Sequence, residues 1–459
     1  MLLLLLACRP DPAPADSPAP SGPVPWSSEA TALDRAPRRG LVPYRAIAHL
    51  HSPWSHDACD GEPLPDGRPD PQCLQDLVDG LCAARIDAAF LTDHPAYAAD
   101  QRWDDLLYCQ DGDCDQGSVW DGAEVLWDGD VPRATRITCP SGHQVTWQVG
   151  IEGGVMPIGL HQHADDPQGT YDLEAPEAIG PLAEAGAVVL QAHTEQRSLD
   201  ELQAFQAAGL SGTEIYNLHA AFDPDIRADY LGLDAYGYLT SMAPFVSDDD
   251  TAEPDLLYLG VLLRQDISLA LWDTLLQDGP LVGTAGTDAH QNVLPALLRD
   301  GERGDSYRRM LRWFNNWILA TDDSPDALQA ALGQGRSAVV FEILGRPEGF
   351  DLSLEDAQGA TYELGEQAPE GTLHVGCPTL AADSPQGDQA PEITVTVYKD
   401  GAPWQSGCGD YAAEGPAVYR VEVTIVPTHL TDFLGKDPSP WLHSYPWILS
   451  NPIYVSPGT

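Results

Sequence analysis

The sequence predicts an α/β protein in two parts. A sheet of parallel strands, open or closed into a barrel, is expected over residues 43–344. A small antiparallel β-sandwich is expected over 345–459. Three observations predict this. From residue 45 onward, apolar strand-like runs alternate with amphipathic helical runs, the pattern of repeated βα units. After about residue 345 the helices stop and short alternating strands take over. At 459 residues the chain exceeds what one small core needs.

In order, "RAIAHLH" (45–51) reads as a strand, and "LQDLVDGLCAARI" (74–86) has helical spacing. "DAAFLTDH" (87–94) is a buried strand, and "VTWQVGIEGG" (145–154) is another. "APEAIGPLAEAG" and "LDELQAFQAAG" are helices, each followed by a strand, "AVVLQAHT" and "GTEIYNLH". "QDISLALWDTLLQDG" is a helix leading into the strand "PLVGTAGTDAH". "NNWILATD" and "SPDALQAALGQGRSAVVFEIL" supply a last strand, helix and strand. Beyond them, "FDLSLEDAQG", "TLHVGCP", "EITVTVYKDG" and "AVYRVEVTIVP" alternate apolar and polar residues between turn residues, as sandwich strands do.

The chain begins "MLLLLLACRPD". Leu5, Leu6, Ala7 and Cys8 match a bacterial lipobox, so residues 1–8 are expected to be a lipoprotein signal with Cys8 as the lipid-bearing membrane anchor. The run is short and lacks a basic start. Residues 9–42, rich in Pro, Ala and Ser, are expected to form a flexible linker. Eight cysteines remain after Cys8, an even number, which in an exported envelope or secreted protein predicts disulfides. Cys109 and Cys114 flank a small closable loop, and Cys377 and Cys408 are the C-terminal pair.

The formal net charge is −47, with Lys399 and Lys436 the sole lysines. Such a surface repels phosphate backbones and argues against nonspecific duplex binding. It does not exclude a small phosphorylated substrate, because bound divalent cations reverse the local field.

Histidine carries the functional signal. Of 13 in the chain, three fall within "HLHSPWSHD" (49–57). Five strand endings bear metal-type side chains: His49 and His51, then Asp93 and His94, then Glu152, then His193, then Asp288 and His290. Parallel strands bring their C-terminal ends to one mouth, so these groups converge if the barrel forms. Singly, each is weak, since an isolated HxH or TDH is usually a surface feature. Five at the ends of apolar runs point to a metal centre.

Taken in order, "HLHSPWSHD", "LTDH", "GIEG", "QAHT" and "GTDAH" resemble the motifs of the PHP (polymerase and histidinol phosphatase) family over roughly residues 45–340. "WILSNPIYV" (447–455) resembles the close of exported members that carry an added β domain. The resemblance implies a distorted (β/α)7, TIM-like barrel with two or three divalent metals that hydrolyses phosphate esters. Carried over by motif, His49, His51, Glu152 and Asp288 would hold one metal. Glu152 would bridge to a second held by His193, and His94 and His290 would hold a third with His56 or Asp57. The second metal calls for a further histidine between Glu152 and His193, for which His161 and His163 both stand available. His219, just past a strand, is as readily a rim residue as a ligand.

Imidazole nitrogen with carboxylate oxygen suits Zn, Mn or Fe. Closely spaced metals would generate a bridging hydroxide near neutral pH to attack phosphorus. Asp57, His94 or His290 would assist the leaving oxygen, and Arg227, Arg264 and Arg299 are candidates for a phosphate clamp. Two other readings stay open: a metal-dependent amidase or carboxylesterase, and a noncatalytic surface lipoprotein stabilised by metal.

Overall fold

The computed structural model describes residues 22–456. The signal, Cys8 and the first part of the linker lie outside them. The fold is a mixed sheet with helices packed against it. Its first eleven strands are β1 (Val42–Ile47), β2 (Ala88–Asp93), β3 (Glu124–Asp128), β4 (Val131–Thr138), β5 (Gln144–Ile151), β6 (Met156–Ile158), β7 (Val188–Gln191), β8 (Gly212–Asn217), β9 (Val282–Gly286), β10 (Asn315–Ala320) and β11 (Ser337–Val340).

Parallel ladders join β1 to β2, β2 to β5, β7 to β8 and β8 to β9. These strands are buried along nearly their whole length, which is why they read as continuous apolar runs. The sheet is not all parallel. Three-residue β6 runs antiparallel between β5 and β7, the β3–β4 hairpin adds to β5, and β10 lies antiparallel to β1. The sequence hides β6 because three residues, one of them proline, carry no periodicity.

No ladder runs from β9 back to β1; the segments that follow the two strands meet at one bridge, Leu50 with Ala289. Along β9, side-chain amides replace the missing strand. Asn316 accepts from Ala285 N at 2.9 Å and donates to Ala285 O at 3.0 Å. Asn451 does the same for Gly283, at 2.7 and 2.9 Å. The buried backbone of β9 is thus satisfied without a ladder partner there.

Helix Pro71–Ala83 starts where Asp70 accepts from the amides of Gln72 and Cys73, and it buries Leu74, Leu77, Val78 and Leu81. Helix Pro325–Gly333 packs Leu328, Ala331 and Leu332 against Ala46, Phe90, Met156, Leu190 and Ile318. Among the described residues, no helix is long and apolar enough to cross a membrane.

Two features of the structure bear on domain organisation. Residues 22–41 are not a free tether. Val24 bridges to Gln386, Leu33 is buried, Arg35 pairs with Asp87, and Arg39 pairs with Asp351 and Glu363. The boundary at 344/345 does not separate two sheets either, because strand Tyr445–Ser450 pairs antiparallel with β11. The C-terminal strands Glu392–Lys399, Ala402–Ser406, Ala417–Val426 and Tyr445–Ser450 therefore extend the first sheet. A second antiparallel sheet holds Leu352–Asp356, Thr361–Tyr362, Gly371–Val375 and Gly409–Ala413. All eight cysteines among the described residues are paired, as Cys59–Cys73, Cys82–Cys139, Cys109–Cys114 and Cys377–Cys408.

Candidate metal centre

The parallel strands β1, β2, β5, β7, β8 and β9 deliver the site residues to one end of the sheet. β1 stops at Ile47, and the backbone bends at Ala48 and His49. The segments carrying His49–His51 and Asp288–His290 then run side by side, through Asp288 N to His49 O and His51 N to Ala289 O, both 3.2 Å. His193 and Asp288 both sit at positive φ, 51° and 52°. Backbone strain of that kind persists where the surroundings demand one side-chain direction.

Four atoms converge at the centre. His49 Nε2 lies 3.1 Å from His51 Nε2, 3.2 Å from Glu152 Oε2 and 3.4 Å from Asp288 Oδ1. His51 Nε2 lies 3.2 Å from Glu152 Oε2 and 3.3 Å from Asp288 Oδ1. A tetrahedron with edges of this length has its centre about 2 Å from each corner, the length of a zinc–nitrogen or zinc–oxygen bond.

The outward nitrogens explain why these atoms face inward. His49 Nδ1 donates to Glu214 at 2.7 Å. His51 Nδ1 meets Ser55 Oγ at 3.1 Å, and that hydroxyl donates on to Asp57. His94 Nδ1 donates to Glu152 O and His290 Nδ1 to Asp288 O, at 3.2 and 2.9 Å. His193 Nδ1 is 3.4 Å from Glu195. A carbonyl or carboxylate partner fixes the proton on Nδ1 and leaves the Nε2 lone pair for an ion. Two such lone pairs 3.1 Å apart, on His49 and His51, repel unless a cation or proton lies between them.

Two further groups adjoin the first. Glu152 Oε1 is 3.0 Å from His193 Nε2, which is 3.3 Å from Asp288 Oδ2. On the other side, Asp57 Oδ2 lies 3.4 Å from His290 Nε2 and 3.7 Å from His94 Nε2. It is Asp57 that reaches both imidazoles. His56 stands at the rim, its Nδ1 3.9 Å from Asp57.

Burial works against charge here, yet opposite partners prevail. Glu152 and Asp288 are held well below the usual carboxylate range, chiefly by His49, and Asp57 is likewise depressed, by His94 and His290. Against its burial, His94 is raised to about 9 by Asp57 and Glu152. Burial and the neighbouring His51 push His290 down to about 3. Protons and metal ions compete for these lone pairs. The residues fit an ion on independent grounds. Asp288 Oδ1 and His290 Nε2 are buried with no hydrogen-bond partner. Each such atom costs about 1–3 kcal/mol, which a bound cation would relieve.

Two candidate ligands are not brought here. His161 follows β6, and because β6 is antiparallel it emerges at the other end of the sheet, against Gly186. His163 spends both nitrogens, on Tyr171 Oη at 3.1 Å and Gln101 O at 3.0 Å. The three candidate clamp arginines are engaged elsewhere: Arg227 with backbone carbonyls, Arg264 with Glu422 and Asp266, Arg299 with the carbonyls of Asp250 and Ala252.

Sequence reasoning passes over Glu214 and Asn217, names Asp93 as a strand ending without giving it a task, and leaves His219 open. His219 Nδ1 lies 3.2 Å from Asp288 Oδ2. Asp93 accepts from Ser52 N and Oγ and so fixes the turn after His51. Glu214 had a visible signal, the lone charged residue of the strand GTEIYN.

No protein-family model matches the chain, and no curated protein matches it. Two solved structures are similar. One is a two-domain protein containing a predicted PHP-like metal-dependent phosphoesterase from Bacteroides vulgatus, 13% identical, with TM-score 0.38, covering 92% of this chain and 100% of that one. The other is PsfC from Pseudomonas syringae, 14% identical, with TM-score 0.35, covering 65% of this chain and 91% of that one.

Proposed function

We propose that this protein is a metal-dependent hydrolase of phosphate mono- or diesters, built as a distorted (β/α)7 barrel with a β-sandwich behind it. One observation carries the reading: His49 Nε2, His51 Nε2, Glu152 Oε2 and Asp288 Oδ1 lie 3.1–3.4 Å apart in the five pairs that involve a histidine. They would hold the first ion. Glu152 Oε1, His193 and Asp288 Oδ2 would hold the second, with His219 beside them, and Asp57, His94 and His290 the third. Zn, Mn or Fe suits this donor set. Bound there, the metals would lower the pKa of water and neutralise charge on a phosphoryl group.

The chain's own residues do the rest. Glu214 keeps His49 in the tautomer that faces the ions. Asp57 and His94, 37% and 26% exposed, line the open side, where a leaving oxygen would approach. A second reading, attack on a carboxyl ester or amide, draws support from the engagement of Arg227, Arg264 and Arg299 elsewhere, which leaves those three unable to clamp a phosphate dianion. We also read the chain as exported and lipid-anchored at Cys8; the four disulfides support an oxidising compartment.

The test is metal analysis of the purified protein followed by parallel assays on p-nitrophenyl phosphate, its bis diester and p-nitrophenyl acetate. Turnover of a phosphate ester, lost with a chelator and restored by Zn, Mn or Fe, is expected. Turnover of the acetate alone would move the assignment to the second reading, and metal with no turnover of any of the three would overturn both.

A further inference from the structure

One run of polar side chains links the C-terminal strands to the metal group. Asn217, buried at the end of β8, directs Nδ2 to Glu214 Oε2 at 3.1 Å and to Asp288 Oδ2 at 3.5 Å. Its Oδ1 accepts from Ala220 N at 3.0 Å. The backbone of Asn217 is in turn gripped by Gln265, which accepts from Asn217 N at 2.9 Å and donates to Asn217 O at 2.6 Å. Gln265 is the residue before helix Asp266–Leu275, yet its side chain makes no bond to that helix's free amides. It is turned wholly toward Asn217.

The next residue back, Arg264, forks onto Glu422 at 2.9 and 2.7 Å. Glu422 lies on strand Ala417–Val426, two residues from Arg420. Arg420 forks onto Asp273 of the same helix, at 2.7 Å to each oxygen, and reaches Glu422 at 2.6 Å. Strand Ala417–Val426 therefore holds helix Asp266–Leu275 at its start and again near its end.

We propose that Asn217 and Gln265 are positioning residues of the metal group, and that the Arg264–Glu422 pair makes the C-terminal strands a brace for it. The inference rests on the reading of that group as a metal centre. Its physical basis is the two oxygens of Glu214. Oε1 serves His49, so Oε2 must be held by other donors, which are Asn217 Nδ2 and the backbone N of His193 at 3.1 Å. If Asn217 swings away, Glu214 turns, His49 loses its fixed tautomer, and Asp288 keeps only imidazole neighbours on Oδ2. Outer partners of this kind typically change metal affinity tenfold to a hundredfold. Forked arginine–carboxylate pairs carry direction as well as energy, so Arg264 fixes where Gln265 sits.

The test is zinc affinity of the full chain by competition with a chromophoric chelator, with thermal unfolding measured alongside. Gln265→Ala and Arg264→Ala are the test variants; Arg264 is one-third exposed, so its loss leaves the fold standing. Arg39→Ala is the control, because it cuts a comparable pair with Asp351 and Glu363 at the N-terminal segment. Both test variants are expected to weaken zinc about tenfold or more. The control loses thermal stability but keeps its affinity within about twofold. The double variant Arg264→Ala with Gln265→Ala is expected to weaken zinc by less than the product of the two single effects, because both act through Asn217. Unchanged affinity in both single variants, beside a wild type that binds zinc, overturns this proposal alone. A wild type that takes up no zinc overturns it together with the reading it rests on.

Discussion

The carboxylate of Glu214 and Nδ1 of His49 stand 2.7 Å apart, on the side of the ring away from Glu152 and Asp288. Glu214→Gln keeps the volume and removes the charge, so the imidazole becomes a poorer donor of its Nε2 lone pair. Metal affinity is expected to fall about tenfold to a hundredfold, with the fold retained. Chelator competition measures it, and a wild-type affinity would rule out the role given to Glu214.

Gly286 makes that contact possible. A Cβ there would lie 1.9 Å from Glu214 Oε1 and 2.8 Å from His49 Cβ. Gly286→Ala is therefore expected to expel Glu214 from its place, with a stability loss of about 1–3 kcal/mol and reduced metal content. Denaturant unfolding and elemental analysis check both, and a variant with full metal content would show that the carboxylate can move without cost to the site.

His51 Nε2 lies 3.1, 3.2 and 3.3 Å from the other three atoms of the first group. His51→Ala is expected to strip metal and activity while the C-terminal strands stay folded, since their contacts lie elsewhere in the sheet. Elemental analysis with limited proteolysis tests this. Unchanged metal content in the variant would count decisively against the ligand assignment.

The Cys59–Cys73 disulfide ties the segment carrying Asp57 to helix Pro71–Ala83, and Cys59 N and Asp60 N bond to His290 O and Gln291 O, both at 3.0 Å. Replacing both cysteines with serine is expected to lower unfolding free energy by about 3 kcal/mol, the loop-closure value for a loop of this size. Hydrogen exchange across residues 52–61 should rise in the same variant. Exchange at the wild-type rate would mean the bonds to His290 and Gln291 hold the segment unaided.

His429 gives a pH dependence separate from the metal group. It is buried, its Nε2 donates to Leu344 O at 3.1 Å, and burial pushes its pKa down to about 4. Between the ordinary value near 6.5 and 4, the unfolded chain binds a proton that the folded chain refuses. Stability is thus full above about pH 6.5, falls as pH drops toward 4, and levels off below, a loss of about 3 kcal/mol from this residue. Unfolding measured at pH 7 and pH 5 in wild type and His429→Gln should show a shallower slope in the variant; equal slopes would place the titration elsewhere.

The five strand endings were legible because each pairs an apolar run with a metal-type side chain, and parallel strands end on the same side. His49, His51, His94, Glu152, His193, Asp288 and His290 meet for that reason. The order of the main βα units and the change of texture near residue 345 were legible from periodicity alone. The direction of Asp57 toward His94 and His290 was not, because adjacent residues on a turn differ only in direction, which the bonds from Ser55 and Asn292 set; His56 stays within ligand distance of Asp57 and His94.

By itself the sequence determined which residue types end which strands, since hydrophobic period and side-chain chemistry are local. The tertiary structure alone decided what strand direction and long-range bonds control. Antiparallel β6 carries His161 to the far end of the sheet. Strand Tyr445–Ser450 joins the C-terminal strands to β11. Glu214 and Asn217 acquire their roles from His49 and Asp288, 165 and 71 residues away. Contacts across such separations depend on where the chain returns in space, and no local pattern encodes that.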